Sequence, residues 1–193
     1  DNKNDTPGGL NGGGVLVRWN GTFSMSGGEI RDNSNFGGLS GGVAVVNDGS
    51  FSMSGGQIRN NTGRYGGGVF AFTNAGGGVS LTGGTIANNT STDFGGGMFV
   101  EGQGSYVISG NAAITGNTSA HTGGVTVYSA VLTMNGGSIR GNAGRNAGGV
   151  YLSYFSSYGS EFNMYGGTIA DNHCGVALRL GIARKPRRCR KSI

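Results

Sequence analysis

The sequence predicts an all-β protein: a right-handed parallel β-helix, or solenoid, with about 27 residues and three strands in each coil. Three observations support this fold class. A glycine run precedes a short apolar strand six times, a glycine-containing turn leads to an isoleucine six times, and an asparagine stands three residues after each of those isoleucines. Successive landmarks are 25 to 30 residues apart. A steady period in this range is typical of solenoids, in which each repeat packs only on its neighbours.

One coil illustrates the order of its elements. Residues 43–46 (Val-Ala-Val-Val) form a first strand and residues 51–53 (Phe-Ser-Met) a second, each with alternate apolar residues on one face. Residues 57–59 form a third strand, with Ile58 directed inward. The segments between the strands are rich in Asn, Asp, Ser and Gly, which favour turns, and residues 60–63 close the coil. Six complete coils and a partial seventh are expected.

The interior should be filled by like residues stacked from coil to coil, since no single coil can bury its own apolar face. The predicted stacks are Val15, Val43, Val69, Met98, Val125 and Val150; Val17, Val45, Ala71, Val100, Val127 and Leu152; Phe23, Phe51, Val79, Tyr106, Leu132 and Phe162; Met25, Met53, Leu81, Ile108, Met134 and Met164; and Ile30, Ile58, Ile86, Ile114, Ile139 and Ile169. The recurring asparagines predict a ladder in which each side chain bonds to its neighbours and to turn backbone. Its members are Asn33, Asn61, Asn89, Asn117, Asn142 and Asn172.

Composition narrows the function classes. Glycine supplies 44 of 193 residues and charged residues only 12%. The net charge of +5 comes from the end of the chain, because residues 1–182 carry 8 basic and 9 acidic side chains, a net of −1. The body therefore has no electrostatic support for specific nucleic-acid binding. We predict a β-helix domain over 1–182 and a basic, disordered tail over 183–193.

The sequence also indicates how this segment relates to a membrane and to other copies of the chain. No signal peptide or transmembrane run is present, so we expect no membrane insertion of this segment. The chain starts in mid-repeat, which indicates a fragment of a longer solenoid. Uncapped end coils would expose strand edges, so end-to-end self-association is expected.

The repeat resembles those of bacterial surface proteins with right-handed parallel β-helices, in particular the repeats of polymorphic outer-membrane proteins and autotransporter passengers. The motifs that carry the resemblance are a Gly-Gly-apolar triplet, as at Gly41-Gly42-Val43, and an Ile-x-x-Asn motif, as at Ile58 to Asn61. This chain has Val where that repeat has Ile, and Ile where it has Phe. The resemblance covers residues 1–178. It implies a secreted or cell-surface protein, extracellular or at the bacterial outer membrane, that acts as an adhesin.

A candidate ligand-binding site lies on the first-strand face. The residues between the inward positions should point outward, and in the middle coils several are aromatic. They predict an exposed patch of Phe70, Phe72, Phe99, Tyr128 and Tyr151. Such a patch could dock a glycan or a host-surface protein. In the alternative interpretation, a long turn covers these rings, or the rings only stabilise the sheet through cross-strand contacts.

The second function considered is a polysaccharide-active enzyme, either a lyase or a glycoside hydrolase. Such sites need clustered carboxylates for calcium or for acid–base catalysis. Glu101 is the one carboxylate on the first-strand face, while Asp93 and Glu29 lie elsewhere in the coil, and His121 and His173 are interpreted as isolated, solvated turn residues. We therefore expect no catalytic residue, no metal site and no cofactor, and a structural or adhesive role.

Overall fold

The structure, a computed structural model, describes residues 12–154 and 159–175. Its regular structure is entirely β-strand within these residues. In chain order the strands are β1 Val15–Val17, β2 Thr22–Met25, β3 Glu29–Arg31, β4 Ser34–Asn35, β5 Val43–Val46, β6 Ser50–Met53, β7 Gln57–Arg59, β8 Thr62–Tyr65, β9 Val69–Phe72, β10 Gly78–Leu81, β11 Thr85–Ala87, β12 Thr90–Phe94, β13 Met98–Glu101, β14 Ser105–Ile108, β15 Ala113–Thr115, β16 Thr118–Ser119, β17 Val125–Tyr128, β18 Val131–Arg140, β19 Ala143–Gly144, β20 Val150–Ser153, β21 Glu161–Ala170 and β22 His173–Cys174.

These strands form three parallel sheets that stack as a solenoid of about six turns, which confirms the predicted fold class. Sheet one has the order β1-β5-β9-β13-β17-β20, and each strand pairs with its equivalent one coil away. Val43, for example, pairs with Val15 on one side and with Val69 on the other. The landmarks of the repeat are therefore the residues placed in register by the sheet.

The division of the coil into strands differs from the prediction in two respects. The second and third strands belong to one sheet, because β18 and β21 run through the corner at which the other coils turn. The residues after each ladder asparagine, predicted as a closing turn, form sheet three with the order β22-β19-β16-β12-β8-β4. Stacking supplies a backbone partner to every segment that repeats in register, so even these polar residues become strands.

The predicted stacks form the core. In the four middle coils, every member of the five stacks is at most 2% exposed. The last described coil is different, because Leu152, Met164 and Ile169 are 47%, 44% and 39% exposed. Apolar side chains that the middle coils bury against a following coil are therefore accessible at this end.

The predicted asparagine ladder is confirmed. The backbone N–H and the Nδ2 of Asn61 both donate to Oδ1 of Asn89, at 2.9 and 3.0 Å, and Nδ2 also donates to the Ile30 carbonyl at 2.9 Å. The same pattern recurs at Asn89, Asn117 and Asn142. Each internal amide thus accepts two hydrogen bonds and donates two, which satisfies its full capacity inside the protein.

The basic tail at 183–193 lies outside the described residues. Along 12–154 and 159–175, no helix has the length and hydropathy needed to cross a membrane.

Candidate functional site: an aromatic cleft

The outward face of sheet one is covered in the middle coils, and the prediction of an exposed aromatic patch is wrong for two of its five residues. Phe70 and Phe99 are only 3% and 4% exposed. With the fully buried Val46 they form a second apolar cluster, outside the solenoid core. The alternative interpretation, in which a neighbouring segment covers the rings, describes these two residues correctly.

The other three residues of the predicted patch have different surroundings. Phe72 is 42% exposed. Tyr128 is partly buried and packs on the second cluster, with its ring centroid 5.9 Å from that of Phe99. Tyr151 is also partly buried, and its ring stacks on Phe94 with 6.2 Å between centroids. Four of the five rings thus belong to a packed layer, whereas Phe72 lies on an open surface.

The covering side chains are Leu39, Tyr65 and Phe94, which pack on the second cluster. Tyr65 and Phe94 end β8 and β12, and each is followed by a glycine with positive φ: Gly66 at 59° and Gly95 at 65°. A Cβ at Gly95 would lie 2.5 Å from the carbonyl oxygen of Met98. Glycine is therefore required where the chain turns into the next first strand, and this turn places an aromatic ring over sheet one.

The covering segment and sheet one enclose a half-open cleft of about 310 Å³. We call it the aromatic cleft; its lining residues are Leu39, Tyr65, Phe70, Phe94, Phe99, Glu101 and Tyr128. The rings of Phe70 and Phe99 are stacked at 5.4 Å, and the Tyr65 ring is tilted by 51° at 5.5 Å from Phe99. The walls are consequently apolar and fixed by mutual ring contacts.

Glu101 supplies the charged group of the cleft lining. It is the last residue of β13 and pairs in register with Phe72 and Tyr128. Its backbone is held in place because its carbonyl oxygen accepts a hydrogen bond from the hydroxyl of the buried Tyr106. Burial raises the pKa of the Glu101 carboxyl. No basic side chain in the described part of the chain forms an ion pair with it.

A second polar group adjoins the cleft behind Phe94. His121 stacks on the Phe94 ring with 4.3 Å between centroids, and its Nε2 lies 3.4 Å from Oδ1 of Asp93. Its Nδ1 lies 3.3 Å from Nδ2 of Asn146. The interpretation of His121 as an isolated residue is therefore wrong. Residues that look unrelated in the sequence become neighbours because sheet three aligns successive coils.

Asp93 connects this group to the cleft through Tyr65. The pKa of the Tyr65 hydroxyl is raised, chiefly by burial; the charge of Arg64 lowers it, and the charge and hydrogen bonding of Asp93 raise it. The charges of Asp93 and of Glu101, which lines the cleft, both raise the pKa of Tyr65. Among the residues that line the cleft, Glu101 is therefore the charged one, while Asp93 and Arg64 act on Tyr65 from beside the cleft.

Sequence reasoning missed the residues that cover sheet one, although a signal for them is present. An aromatic residue stands immediately before the glycine run in three successive coils: Phe36, Tyr65 and Phe94. Phe36 is 56% exposed, whereas Tyr65 and Phe94 are packed into the layer. A periodic aromatic residue at the end of a coil indicates a ring that can fold over the next strand.

The aromatic cleft combines apolar ring surfaces with one carboxylate. Apolar rings can pack against a sugar ring or an apolar side chain, and one carboxylate can accept hydrogen bonds or pair with a cation. Within the described residues, no group of three His, Cys, Asp or Glu side chains is placed to hold a metal ion. The fold and this site together define a parallel β-solenoid with a lateral aromatic cleft. No protein family, curated protein or solved structure matches the chain in the comparisons made.

Proposed function

We propose that this chain is an adhesive segment of a secreted or surface-displayed bacterial protein, and that its aromatic cleft binds a glycan. The observation that carries the proposal is the cleft itself, a ring-lined concavity of about 310 Å³ with one carboxylate. Ligand sites in proteins are usually concave and mostly apolar, with a few polar groups that set orientation. A host-surface protein that inserts a side chain is the other ligand class that this shape allows.

The location outside the cell is supported by the repeat and by the surface. The repeat resembles those of bacterial surface β-helices, and the body of the chain is nearly neutral and rich in Ser, Thr, Asn and Gly. A stacked solenoid also suits a protein that extends away from the cell surface. Each added coil lengthens the rod and packs on its neighbour in the same way as the others. The rigid asparagine ladder contributes to such a rod.

We further propose that the cleft does not cleave its ligand. Glycoside hydrolysis generally needs two carboxyl groups on opposite sides of the scissile bond, roughly 5 to 10 Å apart. Glu101 is the one carboxyl that lines the cleft, and Asp93 lies behind Tyr65 and Phe94. The second candidate function, a polysaccharide-active enzyme, is favoured by one observation: the raised pKa of the Glu101 carboxyl is a property expected of a general acid.

A glycan array probed with the full chain tests the proposal, with release of cleaved product measured in the same samples. The matched variants are Tyr128→Ala, which removes a wall of the cleft, and Tyr165→Ala, which removes a ring that is 78% exposed outside it. We expect binding that Tyr128→Ala abolishes and Tyr165→Ala preserves, without cleavage. Binding that survives Tyr128→Ala would assign the activity elsewhere, for example to the basic tail, and product release would favour the enzyme.

A further inference from the structure

The charge of the aromatic cleft limits the kind of glycan that fits it. We propose that the cleft selects a sugar unit bearing a protonated amine, a de-N-acetylated amino sugar, and that the Glu101 carboxylate is the ion-pair partner of that amine. This inference rests on the proposed function, since it names the glycan class taken by the same cleft. It places the sugar ring against the aromatic walls and its ammonium group beside Glu101.

The first argument is the state of Glu101 in the free protein. Its carboxyl is partly buried, its pKa is raised by that burial, and it has no ion pair among the described residues. Partial burial of an ionised carboxylate costs free energy unless a nearby cation or several hydrogen bonds compensate the lost hydration. A ligand ammonium supplies this compensation, whereas a neutral N-acetyl group supplies at most one uncharged donor.

The second argument is the charge around the cleft. Its lining contains no Lys or Arg, and Asp93 adds a second negative charge close to Tyr65. The exposed Arg64 lies over the Tyr65 ring at 4.9 Å from its centroid, and its positive charge opposes that of Asp93 at Tyr65. Arg64 does not line the cleft, however, and within the described residues it forms no ion pair with Glu101. Acidic sugars would therefore meet repulsion from Glu101, and a cationic sugar would meet attraction.

The third argument is size and shape. A volume of about 310 Å³ is at the lower end of the range for small-molecule sites, so the cleft suits one sugar unit with the rest of a chain outside. Tyr65, Phe99 and Tyr128 provide ring surfaces for the apolar side of a sugar. An ammonium group near such rings also gains cation–π attraction.

The test compares two trisaccharides that differ only in acetylation, one of glucosamine and one of N-acetylglucosamine. Their affinities for the full chain are measured by isothermal titration calorimetry near neutral pH in moderate salt. We expect the glucosamine trisaccharide to bind at least about tenfold more tightly. Glu101→Gln should reduce this preference to within about twofold, because the isosteric amide removes the charge and leaves the backbone hydrogen bond of residue 101 intact.

Glu161→Gln is the matched control, because it removes an equal charge from an exposed position whose side chain accepts a hydrogen bond from Asn163. The preference should persist in this variant; a loss there equal to that in Glu101→Gln would mean nonspecific attraction and would overturn the assignment. Equal affinity of the two trisaccharides, or no binding of either, would also overturn it. Binding of other glycans on the array would then leave the proposed function standing, whereas an empty array would refute the proposed function as well.

Discussion

Asn89 and Asn117 are joined by two hydrogen bonds to one atom: Oδ1 of Asn117 accepts the backbone N–H of Asn89 at 2.9 Å and its Nδ2 at 3.0 Å. Both residues are fully buried. The pair is one step of a ladder that connects every described coil at the same corner. Because each amide serves the coil on either side, the loss of one side chain affects donors or acceptors in three coils.

Asn89→Ala should therefore destabilise the protein by about 3 kcal/mol. The substitution removes the acceptor of two Asn61 donors and the donor to the Ile58 carbonyl, all in a region without access to water. Urea unfolding followed by circular dichroism measures the change. Asn163→Ala is the control, since this half-buried side chain at the end of the described coils donates a hydrogen bond to the exposed Glu161 and lies outside the ladder, and a shift below about 0.5 kcal/mol is expected. Similar losses in both variants would contradict a structural role for the ladder.

Phe99→Ala should cost about 3 to 5 kcal/mol, as is usual for truncating a large buried ring. The ring is 4% exposed and contacts Phe70, Tyr65 and Tyr128. Phe72→Ala, on the neighbouring strand β9 two residues after Phe70, the register partner of Phe99, should cost at most about 1 kcal/mol because that ring is 42% exposed. The midpoints of chemical unfolding report both values. A Phe99→Ala protein as stable as Phe72→Ala would show that the covering segment does not pack on sheet one in solution.

The pKa of Glu101 predicts a pH-dependent effect of Glu101→Gln on stability. In the folded protein this pKa is raised above the ordinary value of 4.5, so the folded state retains the proton over a range where the unfolded chain releases it. The stabilisation from that proton is complete below the ordinary pKa and is lost as the pH rises through the raised pKa. The variant avoids this loss. We expect the melting temperature of Glu101→Gln, relative to wild type, to be higher at pH 7 than at pH 4; the opposite trend would refute the buried environment of the carboxyl.

The exposed apolar residues of the last described coil predict association. We propose that Leu152, Met164 and Ile169 pack against an end of a second chain, as their equivalents pack within the solenoid. Light scattering across a concentration series should then show growing assemblies. Met164→Lys should reduce them, whereas Tyr165→Lys, at the adjacent and 78% exposed position, should not. Assemblies insensitive to both variants would locate the contact elsewhere.

The alternation of residues along a strand predicts only part of its burial. Alternation marks two faces on a strand such as Val43–Val46, and it correctly identified Val43 and Val45 as core. It also suggested that Ala44 and Val46 face solvent, yet both are fully buried. A strand pattern shows that a face is apolar but does not show what covers it. Here the cover includes Tyr65, which ends β8 and lies just beyond the closing turn predicted at 60–63.

The sequence by itself determined the solenoid, its coil length, its five core stacks and its asparagine ladder, because an in-register parallel stack places like residues on like residues. Only the tertiary structure decided that sheet one is covered on its outer face, that Tyr65 and Phe94 form the cover, and that Glu101 is left partly buried in a cleft. It also placed His121 beside Asp93, 28 residues earlier in the chain. These contacts depend on the path of the chain around each glycine turn, and a repeat pattern does not encode that path.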